Sequence, residues 1–134
     1  MRDFQVSKVY AWEDEVLYPK SRPLSENQII NLVDRTCSTN DTPPLRYVDV
    51  APVRTSTAMY NANKKSLVLP PWSHNTHHVI HEVAHHITRH KTRGLAAAHG
   101  PEFVGWMIRI FARRHRLSIR ELITSAKNAG IEVV

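Results

Sequence analysis

The chain has one cysteine, Cys37, in 134 residues, so no internal disulfide can form and no cysteine-based zinc site can be built. Apolar runs are only a few residues long, as at Leu67-Val68-Leu69, which excludes a membrane-spanning helix. The stretch from Met1 to Lys8 lacks the apolar segment of a secretory leader, and a cytoplasmic protein is expected. No internal repeat or low-complexity tract is present. Acidic side chains are scarce towards the C-terminus. Residues 89–134 carry three against nine basic ones, whereas residues 1–50 carry eight against six. With 42% hydrophobic and 22% charged residues the composition is that of a folded chain, and one domain spanning 1–134 is expected.

Histidine is the residue in excess. There are nine, and seven of them fall between His74 and His90. The surrounding pattern predicts alternating strands and helices. Val6–Trp12 is β-branched and aromatic and reads as a strand. Ser25-Glu26-Asn27-Gln28 is a capping box that opens a helix over about 26–37, with Ile29, Ile30, Leu32, Val33 and Cys37 on its apolar side. Arg46–Val50 reads as a short strand ending near a sheet edge at Pro52. Residues 58–60 and 66–69 flank a polar turn and read as a hairpin. Ser73 is positioned to cap a helix over 74–90. Gly100-Pro101 opens another helix, and Ser118 to Glu121 caps a last one over 119–129, with Gly130 as its stop. The fold class expected is α+β, an N-terminal helix and a short β-meander followed by three helices.

The chemical signal is His81-Glu82-Val83-Ala84-His85. Four residues of helix turn about 400°, so both imidazoles lie one turn apart on one face and can reach one ion. Val79, Ile80, Val83, Ala84 and Ile87 form the apolar stripe of the same helix, and the two histidines sit about 150° from its centre. Glu82 lies on the flank, beside the metal position, where it can take a proton from a zinc-activated water as general base. A catalytic zinc needs a third protein ligand. His99, after the helix and just before Gly100-Pro101, is the natural choice. One Zn²⁺ per chain on His81, His85 and His99 is therefore expected.

His81-Glu82-x-x-His85 followed by His99-Gly100-Pro101-Glu102-Phe103 resembles the core of the SprT-like (Spartan) zinc metalloproteases. The helix and short β-meander before the metal helix are similar to compact gluzincin-like peptidases, and the whole chain resembles small metallohydrolases of actinobacteria and their phages. The motif match covers about residues 74–111. It implies a compact zincin-like domain, zinc ligation by the three histidines and Glu82 as general base and acid. With its single cysteine, the sequence holds no counterpart of that family's Cys-rich zinc module. The reaction expected is hydrolysis of a peptide bond in a protein or peptide substrate. A non-peptide amide or ester is the alternative substrate, and a DNA-associated binding or regulatory module with a structural zinc is the alternative class.

Other residues are candidates for supporting parts. Tyr60, His78 and Arg109 could stabilise an oxyanion. His78 otherwise reads as a solvated or supporting histidine, His86 and His90 as structural, and Cys37 as a small core residue. The strand Ser66–Leu69 could accept an extended peptide if it lies at the sheet edge. Phe103, Val104, Met107, Ile110 and Phe111 face inward on the helix from Pro101. Trp106, Arg109, Arg113 and Arg116 form another stripe, suited to single-stranded nucleic acid or to solvent.

Overall fold

The computed structural model describes residues 3–134 and has the expected α+β architecture. Its elements run in the order α1 (Val6–Trp12), a π-helical turn (Glu13–Leu17), α2 (Glu26–Thr39), β1 (Tyr47–Asp49), β2 (Met59–Asn61), β3 (Ser66–Val68), α3 (Thr76–Thr92), α4 (Pro101–His115) and α5 (Ile119–Asn128). No helix among the described residues is long and apolar enough to cross a membrane.

Residues 6–12 are helical, not extended as their composition suggests. The inward positions of this segment are Gln5, Val9, Trp12, Glu13 and Leu17, a helical spacing. Two of the five are polar, so an apolar count misses the period and the β-branched and aromatic residues dominate the reading. Burial on the helix face outweighs the weak β-propensity of Val6, Val9 and Tyr10.

The sheet is also not a meander. Its strand order is β1-β3-β2, with β1 parallel and β2 antiparallel to β3. The hairpin between β2 and β3 forms as expected, and Asn61 Oδ1 accepts the Lys64 amide within its turn. The link from β1 to β2 instead carries the chain across to the far side of β3. That order places fully buried Leu67 in the middle, paired with Val48 on one side and Tyr60 on the other. A central position satisfies backbone groups on both edges of the one strand whose apolar side chain is wholly inside.

The helix boundaries follow their caps. Ser25 and Gln28 exchange both bonds of the capping box, at 3.2 and 2.8 Å. Asn75, not Ser73, caps α3, its Oδ1 accepting the His78 amide at 3.0 Å, while Ser73 lies in a short 3-10 turn and bonds back to the Pro70 carbonyl. Ser118 accepts the Glu121 amide at the start of α5. Gly130 follows α5 at φ 81°, a left-handed conformation glycine adopts without a Cβ clash. One buried apolar cluster runs from Val9 to Ile131, with α3 and α4 packed at its centre through Ile80, Val83, Ile87, Phe103, Met107 and Phe111. Cys37 is part of it, and burial pushes its thiol up to about 11.

Candidate metal centre

α3 carries His81, Glu82 and His85 beside β2, and the loop entering α4 returns His99 to them. The ring centroids of the three histidines are 4.8 to 5.4 Å apart, and one nitrogen of each lies within 4.8 Å of the other two. The Nε2 atoms of His81 and His85 are 3.3 Å apart. That distance suits an Nε2–H···Nε2 hydrogen bond and equally two nitrogens turned to one cation. Ligands at 2.0–2.1 Å around a tetrahedral zinc are separated by about 3.3–3.4 Å, so the spacing fits one ion.

The outward-facing nitrogens of His81 and His99 are held by carboxylates. Glu13 Oε1, on the π-helical turn, accepts His81 Nδ1–H at 2.6 Å, and Asp3 Oδ2 accepts His99 Nδ1–H at 2.8 Å. Each bond leaves the Nε2 lone pair for the shared position. His99 Nε2 is buried and has no partner among the described residues, as expected of a nitrogen reserved for a ligand. Phe103 forms the floor beneath all three rings, stacked on His85 at 4.2 Å and about 5 Å from His81 and His99. Gly100 and Pro101 start α4 at the turn that brings Phe103 there.

The electrostatics are set by burial and by these pairs. Burial alone would raise Glu13, but the hydrogen bonds from His77 and His81 outweigh it and hold the carboxyl down to about 2. Burial disfavours the charged form of His81, and Glu13 reverses this, so His81 titrates above the ordinary histidine value. His85 is pushed well below that value by burial and then by the neighbouring His81 and His99. Burial raises Glu82, with His81 opposing.

A cleft of about 520 Å³ opens over His81, Glu82, His85 and His99, walled by Tyr10, by Met59 and Tyr60 of β2, and by the 94–98 loop. Tyr10 places its ring 5.0 Å from His99 and 5.8 Å from His81. Its hydroxyl is raised by burial and then by the carboxylates of Glu13, Glu82 and Asp3.

No protein-family model, curated protein or solved structure matches the chain.

The geometry sorts the other sequence candidates. Tyr60 reaches the cleft, but its hydroxyl donates to His86 Nδ1 at 3.0 Å while His86 Nε2–H donates to the Pro43 carbonyl, a structural role for His86 as expected. His78 lies outside the cleft, between Trp72 and Tyr18 and bonded to Asn75, with its pKa lowered to about 4 by burial and then by His77 and His81. Arg109 is also elsewhere, over the Trp106 ring and bonded to the Val134 carbonyl. β3 is the central strand, so the sheet edge on the cleft belongs to β2. Trp106, Arg109, Arg113 and Arg116 do share one groove, about 340 Å³ between α2 and α4, joined there by Arg35 and Arg114.

Asp3, Tyr10 and Glu13 were not legible as site residues. One signal existed. Residues 51–88 contain a single acid, Glu82, so carboxylate partners for buried imidazoles had to come from another part of the chain.

Proposed function

We propose that the protein is a zinc-dependent hydrolase, a metallopeptidase, with His81, His85 and His99 as the metal ligands. The observation that carries this is the 3.3 Å approach of two Nε2 atoms, with His99 Nε2 buried beside them under an open cleft and unpartnered among the described residues. A zinc ion held there would supply a Lewis acid for polarising a carbonyl and activating water. Glu82, buried beside the ligands with a raised pKa, is the group to take and return a proton at its carboxylate. Tyr10 is better placed than Tyr60, His78 or Arg109 to donate to a developing oxyanion, because its ring lies against two ligands at the cleft wall. The outer edge of β2 can pair with an extended peptide, which favours a peptide over a compact amide or ester. The SprT-like resemblance of the H-E-x-x-H and H-G-P-E-F segments is part of the same proposal, and so is cytoplasmic residence, which suits a lone buried thiol.

The test is zinc content with a peptide-cleavage panel on wild type and Glu82→Gln. One zinc per chain in both, with cleavage only in wild type, supports the reading. Zinc with no cleavage of peptides but turnover of simple amides or esters would move the substrate class. Wild type without stoichiometric zinc would overturn the proposal.

A second reading, single-stranded nucleic acid as partner, is favoured by the α2–α4 groove. Five arginines line it over an apolar floor of Leu32 and Ile110, and none pairs with an Asp or Glu among the described residues. Trp106 is already covered by Lys91 and Arg109, so phosphate contacts rather than base stacking would dominate.

A further inference from the structure

The N-terminal segment contributes more to the centre than packing. Two of its carboxylates stand on either side of α1: Asp3 bonds His99, the ligand from the loop before α4, and Glu13 bonds His81, a ligand on α3. Between them Gln5 donates its amide to the His99 carbonyl at 3.0 Å and the Glu132 carbonyl at 3.1 Å, and accepts the Glu132 amide at 2.9 Å. The backbone of the third ligand is thus tied to the same segment as its ring.

Glu13 could belong to a second ion instead, since it forms a cluster with His77 and His81. The distances decide otherwise. Glu13 Oε1 lies 2.7 Å from His77 Nε2 and 2.6 Å from His81 Nδ1, hydrogen-bond lengths and shorter than the roughly 3.3 Å between two ligands of one zinc. Glu13 is an acceptor for two imidazole N–H groups. A carboxylate this buried is costly unless such donors meet it, so the helix face carrying Glu13 docks only where His77 and His81 present their N–H groups.

We infer that residues 3–17 are a working part of the metal centre: Asp3 and Glu13 hold His99 and His81 as Nδ1–H tautomers, and metal binding is thermodynamically linked to docking of this segment. The inference rests on the three-histidine reading above. A neutral imidazole has one donor and one acceptor nitrogen, and an ionised carboxylate only accepts, so each bond commits the lone pair to Nε2. Whatever holds the segment down improves the ligand set, and whatever occupies the ligand set holds the segment down. Asp3 and Glu13 are positioning residues, acting through the histidines they orient.

The experiment uses the full chain with Asp3→Asn and Glu13→Gln, and Glu15→Gln as an exposed control from the same turn. Zinc affinity is read by chelator competition, and histidine tautomers by long-range ¹H–¹⁵N NMR on the zinc-free protein. Asp3→Asn and Glu13→Gln should each weaken zinc binding about 10- to 100-fold, with Glu15→Gln unchanged. His81 and His99 should be Nδ1–H in wild type and lose that preference in the matching variant only. Amide exchange in residues 6–17 should slow on adding zinc to wild type. Asp3 is partly exposed, so its variant keeps the test alive if Glu13→Gln unfolds. Wild-type zinc affinity and tautomers in Asp3→Asn, or no slowing of exchange, would overturn the inference while leaving the metal site standing. No zinc in wild type would instead overturn the three-histidine reading, and the inference with it.

Discussion

Glu13 and His81 are 68 positions apart in the chain and 2.6 Å apart in the fold, joined by a carboxylate–imidazole hydrogen bond with both side chains buried. The bond ties the π-helical turn to the face of α3 that carries His81 and His85. Such single-turn widenings of a helix are frequent at functional positions, and here the widening begins at the residue that makes the bond.

Acid should loosen this pairing. The Glu13 carboxyl is lowered from 4.5 to about 2 in the folded state, so its contribution to stability is present above pH 4.5 and is lost as pH falls towards 2. The shift corresponds to an order-of-magnitude 3 kcal/mol. Urea midpoints measured between pH 6 and 3 should fall in wild type and fall less steeply in Glu13→Gln. Parallel slopes would show that Glu13 is not held as described.

Zinc binding should weaken on acidification. His81 titrates above the ordinary histidine value, so a proton competes with the ion for its Nε2 at mildly acidic pH. Chelator competition at pH 8 and pH 6 should show tighter binding at the higher value, with protons released on binding. A pH-independent affinity would contradict His81 as a ligand.

His99→Ala and Glu82→Gln should separate binding from chemistry. Removing His99 takes away one of three ligand nitrogens and should cost at least tenfold in zinc affinity. Glu82→Gln should retain zinc while losing about 100-fold or more in turnover, the range typical of a removed general base. Retention of full zinc affinity in His99→Ala would leave the centre with a different third ligand.

Phe103→Ala should damage both fold and site. The ring is fully buried and lies against all three histidines, so its removal should cost about 3–5 kcal/mol in stability and weaken zinc binding in the part that still folds. A thermal denaturation scan with and without zinc reads both effects. Loss of stability with unchanged zinc affinity would reduce Phe103 to a core residue.

The α2–α4 groove makes a separate prediction. Arg113→Ala with Arg114→Ala should weaken binding of a labelled single-stranded oligonucleotide and lower its salt slope by about one for each phosphate no longer neutralised. Equal binding in wild type and the double variant would assign the groove to solvent.

Much of the local structure was legible in the residue order. His81 and His85 share a helix face because four residues make about one turn, and no other part of the chain needs to be known for that. The capping box at Ser25 and the Gly100-Pro101 start of α4 are likewise local, settled by backbone donors within a few residues. His99 as the third histidine was readable from spacing and from the scarcity of acids near it. Asp3, Tyr10 and Glu13 were not, because periodicity is read from apolar residues and the inward face of the segment from Gln5 to Leu17 is partly polar. β1 lying parallel beside β3, rather than within a meander, was equally closed to local reading. Both outcomes depend on pairings between residues far apart in the chain, where burial of Leu67 and pairing of Glu13 with two imidazoles outweigh the propensities of short segments.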